Sequence, residues 1–147
     1  MSTEVRASYT DTFAHAFDPK GRITVPSEWR QAAFETSLFV LPSSKGRCVR
    51  VYPASWLGRL QEKVALLKDA DPQRRGVENL ATTAQSAVFD TQGRIMVKEK
   101  LRDGAGLAKD AVLVGRLDHF EIWDKAAWDK EQVASITVED ALSAIGL

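Results

Sequence analysis

The segment Phe17-Asp18-Pro19-Lys20-Gly21-Arg22-Ile23-Thr24-Val25-Pro26-Ser27-Glu28-Trp29-Arg30 returns seventy-two residues later as Phe89-Asp90-Thr91-Gln92-Gly93-Arg94-Ile95-Met96-Val97-Lys98-Glu99-Lys100-Leu101-Arg102. Phe, Asp, Gly, Arg, Ile, Val and the closing Arg recur in register, seven identities in fourteen positions, far more than chance supplies. A chain that carries one unit twice must fold into two equivalent halves. In 147 residues each half is only about half the chain, and domains below about 70–80 residues rarely build a sufficient core alone. The halves are therefore expected to interlock around one shared core.

Each copy reads as a strand, a four-residue turn and a second strand. Asp18 or Asp90 opens the turn, where its carboxylate can accept backbone N–H groups two or three residues on, and Gly21 or Gly93 supplies the positive φ that such a turn needs. Asp and Gly thus shape the loop. Lys20, Arg22 and Arg94 are not required by the turn, which pushes their long cationic side chains outward, and they are the candidates for chemistry.

Taken in order, Met1–Ser8 reads as a frayed leader and Tyr9–Phe17 as a strand with roughly period-two alternation. Ile23–Val25 continues as a short strand, and Pro26-Ser27 opens a helix to about Phe34 that turns Trp29, Ala32 and Ala33 to the core, with Ser27 as its cap. Leu38–Leu41 and Cys48–Tyr52 pair across a Pro42–Gly46 loop. The Leu57, Leu60, Val64, Leu67 stripe predicts a helix over Ala54–Lys68, and another follows from about Gln73 to Leu80. The second half replays the first, with strands at Ala84–Phe89 and Ile95–Val97, a short helix from Lys98 to about Asp103, and a hairpin of Ala111–Val114 with Phe120–Trp123. Asp124 caps a helix to about Val133. A last apolar stripe, Val138–Ile145, suits a mobile or partner-binding helix. Each half runs strand, turn, strand, short helix, hairpin, helix, a mainly β fold with helices (α+β).

Twenty basic and twenty acidic residues cancel, which excludes a globally basic nucleic-acid binder but not a local basic patch. Cys48 is the one cysteine, so no intrachain disulfide is possible, and a lone thiol suits a reducing cytosol. With no signal sequence and no apolar run long enough to span a bilayer, a cytoplasmic protein is expected. His15 and His119 lack the partners of a metal site. No Ser-His-Asp set or Gly-rich phosphate cradle can be assembled, and Gly104-Ala105-Gly106 follows a short helix as a C-cap turn does. Neither an enzyme, a cofactor, a metal nor a small-molecule substrate is expected. Arg74-Arg75 can touch phosphate, or can be solvated or ion-paired.

Four features together resemble the MraZ family: Asp-x-Lys-Gly-Arg-Ile-x-Val-Pro from Asp18, Asp-x-x-Gly-Arg-Ile from Asp90, Pro72-x-x-Arg75, and Val114-Gly115 followed by Phe120-Glu121-Ile122-Trp123. The likeness covers about Tyr9–Trp128. It implies tandem SpoVT-AbrB domains forming a double-repeat swapped-hairpin β-barrel within one chain. The first repeat would span 9–56, a helical bridge 57–82, the second repeat 83–128 and a C-terminal helical tail 129–147. It also implies a nucleoid-associated transcription factor that binds double-stranded DNA at closely spaced direct repeats in the promoter of the cell-division and cell-wall gene cluster, and that self-associates into a ring. The DNA-contacting positions would be Lys20, Arg22 and Arg94. The chain departs from the pattern in its extra N-terminal residues and in Gln92, which stands where the first turn has Lys20. The second turn then holds DNA less tightly or contacts it through Gln92 as a neutral donor. Two readings remain beside this one: the turn arginines pair with Asp18 and Asp90 for folding alone, or the chain is an oligomeric scaffold or antitoxin-like interaction module.

Overall fold

The computed structural model describes residues 7–43, 47–131 and 136–147. Its elements are β1 (Thr12–Ala16), β2 (Arg22–Thr24), a 3-10 turn (Ser27–Trp29), β3 (Ser37–Pro42), β4 (Cys48–Pro53), α1 (Ala54–Ala65), α2 (Pro72–Leu80), β5 (Gln85–Val88), β6 (Arg94–Met96), α3 (Glu99–Gly104), β7 (Asp110–Gly115), β8 (Phe120–Asp124), α4 (Lys125–Lys130) and α5 (Val138–Ala144). The fold is mixed α and β with antiparallel strand pairs. Six strands form one sheet in the order β1-β7-β8-β4-β3-β5, and β2 pairs with β6 in a separate ribbon. The sheet is open, with β1 and β5 at its two ends.

That strand order reads the same from either end once β1 is exchanged for β5, β3 for β7 and β4 for β8. The first strand of each repeat lies beside the hairpin of the other: Phe13 stands opposite Leu113 and Ser86 opposite Phe39. A hairpin left alone would present an unpaired row of N–H and C=O groups, and here the opposite half covers it. Two pairs lie on the pseudo-two-fold relation itself, Ile23 opposite Ile95 in the ribbon and Arg50 opposite Glu121 in the sheet.

The shared core draws on both halves. Ile23, Val25, Ile95 and Val97 from the ribbon segments are buried with Val40, Val49, Val51, Leu113, Phe120 and Ile122 from the sheet. Trp29 stands among Tyr9, Phe13 and Phe120 with ring centroids 4.9–5.6 Å apart, and its indole N–H donates to the Thr10 carbonyl at 3.0 Å. Its counterpart in the second repeat is the buried Leu101.

Several elements depart from expectation. The helix predicted over Ser27–Phe34 is one 3-10 turn; Trp29 is buried while Ala32 and Ala33 are exposed. The anchored Trp29, together with Phe34 whose ring reaches Tyr9 at 5.0 Å, draws the chain back to the core before a second helical turn forms. Ser27 makes no cap hydrogen bond, and Pro26 occupies the cap position. The strand expected over Tyr9–Phe17 is interrupted at Asp11, which takes φ +76° and accepts the Thr12 N–H at 2.7 Å; Tyr9 forms only an isolated bridge with Leu117. The first long helix stops at Ala65. Asp71 caps α2 by accepting the Gln73 N–H, and Asp124 caps α4 by accepting the Ala127 N–H. α4 stops at Lys130 with Glu131 as its C-cap, short of the predicted Val133, and residues 132–135, most of the leader and part of the Pro42–Gly46 loop lie outside the described residues. Among those described, no helix is long and apolar enough to cross a membrane.

Around Glu121 the outer side of the central strand pair is closed by a polar cluster. Its carboxylate accepts from Arg116 Nε and Trp123 Nε1, both at 3.0 Å, with Arg50 Nε at 3.7 Å and His119 Nε2 at 3.8 Å. Tyr52 stacks between His119 and Trp56. Burial works against ionisation of Glu121, but His119, Trp123 and Arg116 outweigh it and bring the carboxyl from 4.5 down to about 2.

Candidate nucleic-acid interface

The two turns flanking the ribbon are built bond for bond alike. Asp18 Oδ1 accepts the N–H of Lys20 at 3.0 Å and of Arg22 at 2.8 Å, and the Gly21 N–H donates to the Asp18 carbonyl at 3.0 Å. Asp90 Oδ1 accepts the N–H of Gln92 and of Arg94, both at 2.9 Å, and the Gly93 N–H donates to the Asp90 carbonyl at 3.1 Å. The backbone N–H of Arg22 or Arg94, reinforced by the guanidinium beyond it, holds each carboxyl below the usual range, and both stay ionised.

Each arginine then turns back on its own aspartate. Arg22 Nε lies 2.6 Å from Asp18 Oδ2 and Arg94 Nε 2.8 Å from Asp90 Oδ2, while Arg94 Nη1 also approaches Asp18 across the ribbon at 3.7 Å. The folding ion pair weighed from the sequence is therefore present in both halves. It does not consume the guanidinium. The hydrogen bond is made through Nε, and the terminal Nη pair, the fork that fits guanine O6 and N7, has no hydrogen bond among the described residues. The carboxylate fixes each fork in one orientation, which lowers the entropy lost when it engages a ligand.

Register places both arginines on one face. Ile23 and Ile95 point inward and are almost wholly buried, so Arg22, Thr24, Arg94 and Met96 share the outward side, with Arg22 opposite Met96 and Thr24 opposite Arg94. Lys20 and Gln92 are exposed at the turn tips.

Two further cations, Arg30 and Arg102, join this surface, although the sequence marked them only as the closing identity of the repeat. Arg30 Nε donates to the Val25 carbonyl at 2.8 Å and Arg102 Nε to the Val97 carbonyl at 2.9 Å. Each guanidinium lies over the turn of the opposite half. A methyl group on Gly93 would fall under 3.0 Å from the Arg30 guanidinium, and one on Gly21 would meet Arg102 and the Val97 carbonyl at 2.9 Å. The glycines thus satisfy two demands at once, φ of +81° and +74° and the close approach of a guanidinium. Lys20, Arg22, Arg30, Arg94 and Arg102 against Asp18 and Asp90 make a locally basic face on a neutral chain. The arginine pair in the bridge takes a different place: Arg74 is tied to the Leu67 carbonyl at 2.8 Å and to Asp69 at 3.2 Å.

Comparison with known proteins bears on this surface. Residues 80–141 match the family described as "MraZ protein, putative antitoxin-like". A protein of Acidithiobacillus ferrooxidans, "Transcriptional regulator MraZ", is 34% identical over 146 residues, covering 94% of this chain and 97% of that one. Its namesake in Nitrosomonas europaea is 32% identical over 128 residues, 85% of this chain and 86% of the relative. The chain belongs to the MraZ family. Another MraZ relative, from Thermomicrobium roseum, is 37% identical over 117 residues, 79% of this chain and 81% of its own length. As a member of the MraZ family the chain holds both Asp-x-x-Gly-Arg turns in register across one ribbon.

Proposed function

We propose that the protein is a sequence-specific DNA-binding transcriptional regulator that sets the β2–β6 ribbon into the major groove. The observation that carries this reading is the pair of outward guanidinium forks, each oriented by its own aspartate on a two-stranded ribbon, an element that the groove admits. Arg22 and Arg94 read base edges, Lys20 contacts phosphate and Gln92 acts as a neutral donor in the weaker turn. The names of the relatives support the same reading.

In this proposal the interlocked halves, 9–56 and 83–128, are the two SpoVT-AbrB repeats of a swapped-hairpin barrel, joined by the bridge 57–82 and followed by the tail 129–147. The protein works in the cytoplasm at the nucleoid. One ribbon offers few cationic contacts, and a homo-oligomeric ring multiplies them by raising effective concentration along closely spaced direct repeats. The promoter of the cell-division and cell-wall gene cluster is the proposed target.

Selection of bound sequences from random DNA, followed by titration against salt, tests the reading. A repeated consensus with affinity that falls steeply with salt is expected. Arg22→Ala should cost about 1–3 kcal/mol of binding per engaged site and relax discrimination there, with only a small fall in melting temperature, because the Asp18–backbone hydrogen bonds that shape the turn remain. Wild-type affinity in a folded Arg22→Ala protein would return the turn to an ordinary solvated surface. A second reading, a scaffold or antitoxin-like module, is favoured by the exposed apolar stripe of Val138 and Leu142 on α5 with Ile145 at its C-cap, and binding of protein without salt-sensitive DNA binding would select it.

A further inference from the structure

The inward side of the ribbon is symmetric, Ile23 against Ile95, but its outward side is not. Under the repeat, Arg22 corresponds to Arg94 and Thr24 to Met96. Arg22 therefore has Met96 directly across from it, while Arg94 has Thr24. Directly opposed side chains in an antiparallel pair have Cβ atoms about 4.5–5.5 Å apart, more than one base-pair step of about 3.4 Å. A residue beside a base-reading arginine thus reaches the neighbouring base pair.

Met96 is 46% exposed on the outward face of the ribbon. Its backbone is fixed. The buried Gln85 donates from Nε2 to the Met96 carbonyl at 2.7 Å and accepts the Lys98 N–H on Oε1 at 2.9 Å, bracketing the end of β6. The corresponding residue of the first repeat is Phe13, which has no amide to do this. Methionine is unbranched and polarisable, and the thymine 5-methyl is the apolar feature displayed in the major groove. Thr24 is shorter and carries a hydroxyl.

We infer that Met96 is a specificity-determining residue that contacts a thymine 5-methyl group beside the base pair engaged by Arg22, so that the two halves of the ribbon read unequal half-sites. This rests on the ribbon being the DNA-binding face. It adds which base feature is read, and by which residue.

The test uses the full chain and its selected DNA site, with each thymine replaced singly by deoxyuridine, which removes only the methyl group. One position should then show affinity lowered about four-fold, which at 1.4 kcal/mol per tenfold is about 0.8 kcal/mol, the worth of one buried methylene. Met96→Ser, a shorter residue without a methyl group at an exposed site, should lose the preference for thymine at that position alone. Thr24→Met should create a second methyl-sensitive position in the other half-site. Thermal melts establish that both variants fold. A wild type indifferent to every methyl group, or a folded Met96→Ser that still distinguishes thymine from uracil there, overturns the inference while leaving DNA binding standing. Failure of the wild type to select any sequence overturns the DNA reading and this one with it.

Discussion

The ribbon β2–β6 and the central pair β4–β8 both straddle the relation between the two halves, and they meet it in opposite ways. In the ribbon like faces like, Ile23 against Ile95, so two copies of either repeat would make the same contact. In the sheet unlike faces unlike, Arg50 against Glu121. Two copies of the first half would set arginine against arginine there, and two copies of the second would set glutamate against glutamate; like charges directly opposite each other destabilise a strand pair. The ribbon therefore keeps its symmetry on the inward, packed side, whereas the central pair commits each half to the other half of its own chain.

Separating the halves breaks this comparison most severely. Residues 1–82 alone should fail to unfold cooperatively, because β3 loses β5 and β4 loses β8. Co-expressed with 83–147 the fragment should form a mixed pair, and light scattering that found a stable homodimer of 1–82 would refute the role given to Arg50 and Glu121. Next in size is Glu121→Ala. It leaves the Trp123 N–H without its acceptor and removes the partner of Arg116 and Arg50, whose half-exposed guanidinium groups can turn to water, so the loss is about 1.5–3 kcal/mol, that of hydrogen bonds to a charged group. Urea titration measures it.

The same carboxylate sets the acid limit. Because its folded value, about 2, lies below the ordinary 4.5, its contribution is complete above pH 4.5 and is lost as pH falls toward 2. The amount is about 3 kcal/mol. Asp18 and Asp90 shift in the same direction. Stability measured against pH should fall through this window in the wild type and stay flatter in Glu121→Gln; equal slopes would show that the cluster is not the acid-sensitive element.

A smaller experiment sharpens the comparison on the ribbon side. Gly21→Ala and Gly93→Ala both place a side chain at positive φ, a strain of about 1–3 kcal/mol. At Gly93 the obstructing atoms belong to the movable end of Arg30, whereas at Gly21 the Val97 carbonyl also stands in the way. Gly21→Ala should be the more damaging of the two in thermal melts, and the reverse order would mean that the Arg30 guanidinium yields less readily than the Val97 carbonyl.

The repeat made two halves legible because Asp18, Gly21, Arg22 and their copies act within five residues and need no distant partner. The pairing of β1 with β7 and β5 with β3 was not legible, since period-two alternation tells which side of a strand is buried but not which strand lies beside it. Glu121 was hidden for a related reason. As a charged residue alternating with Phe120 and Ile122 it reads as the solvent side of a strand, and only the fold brings Arg116, His119, Trp123 and Arg50 around it. Arg30 and Arg102 carried the one available signal, identity at the last position of the repeat, but their reach over the opposite turn is a property of the interlock.

That crossed arrangement has a consequence for the chain as it is made. The first turn leaves the ribosome early, but the arginine that covers it, Arg102, lies 80 residues behind Arg22. At about 5–20 residues per second the tip waits about 4–16 seconds uncovered, and β1 waits longer still for β7. A nascent or prematurely terminated chain can display the first basic turn without the second ribbon strand, its opposing isoleucine or its covering guanidinium. Completion of translation thereby becomes a condition for displaying the finished surface.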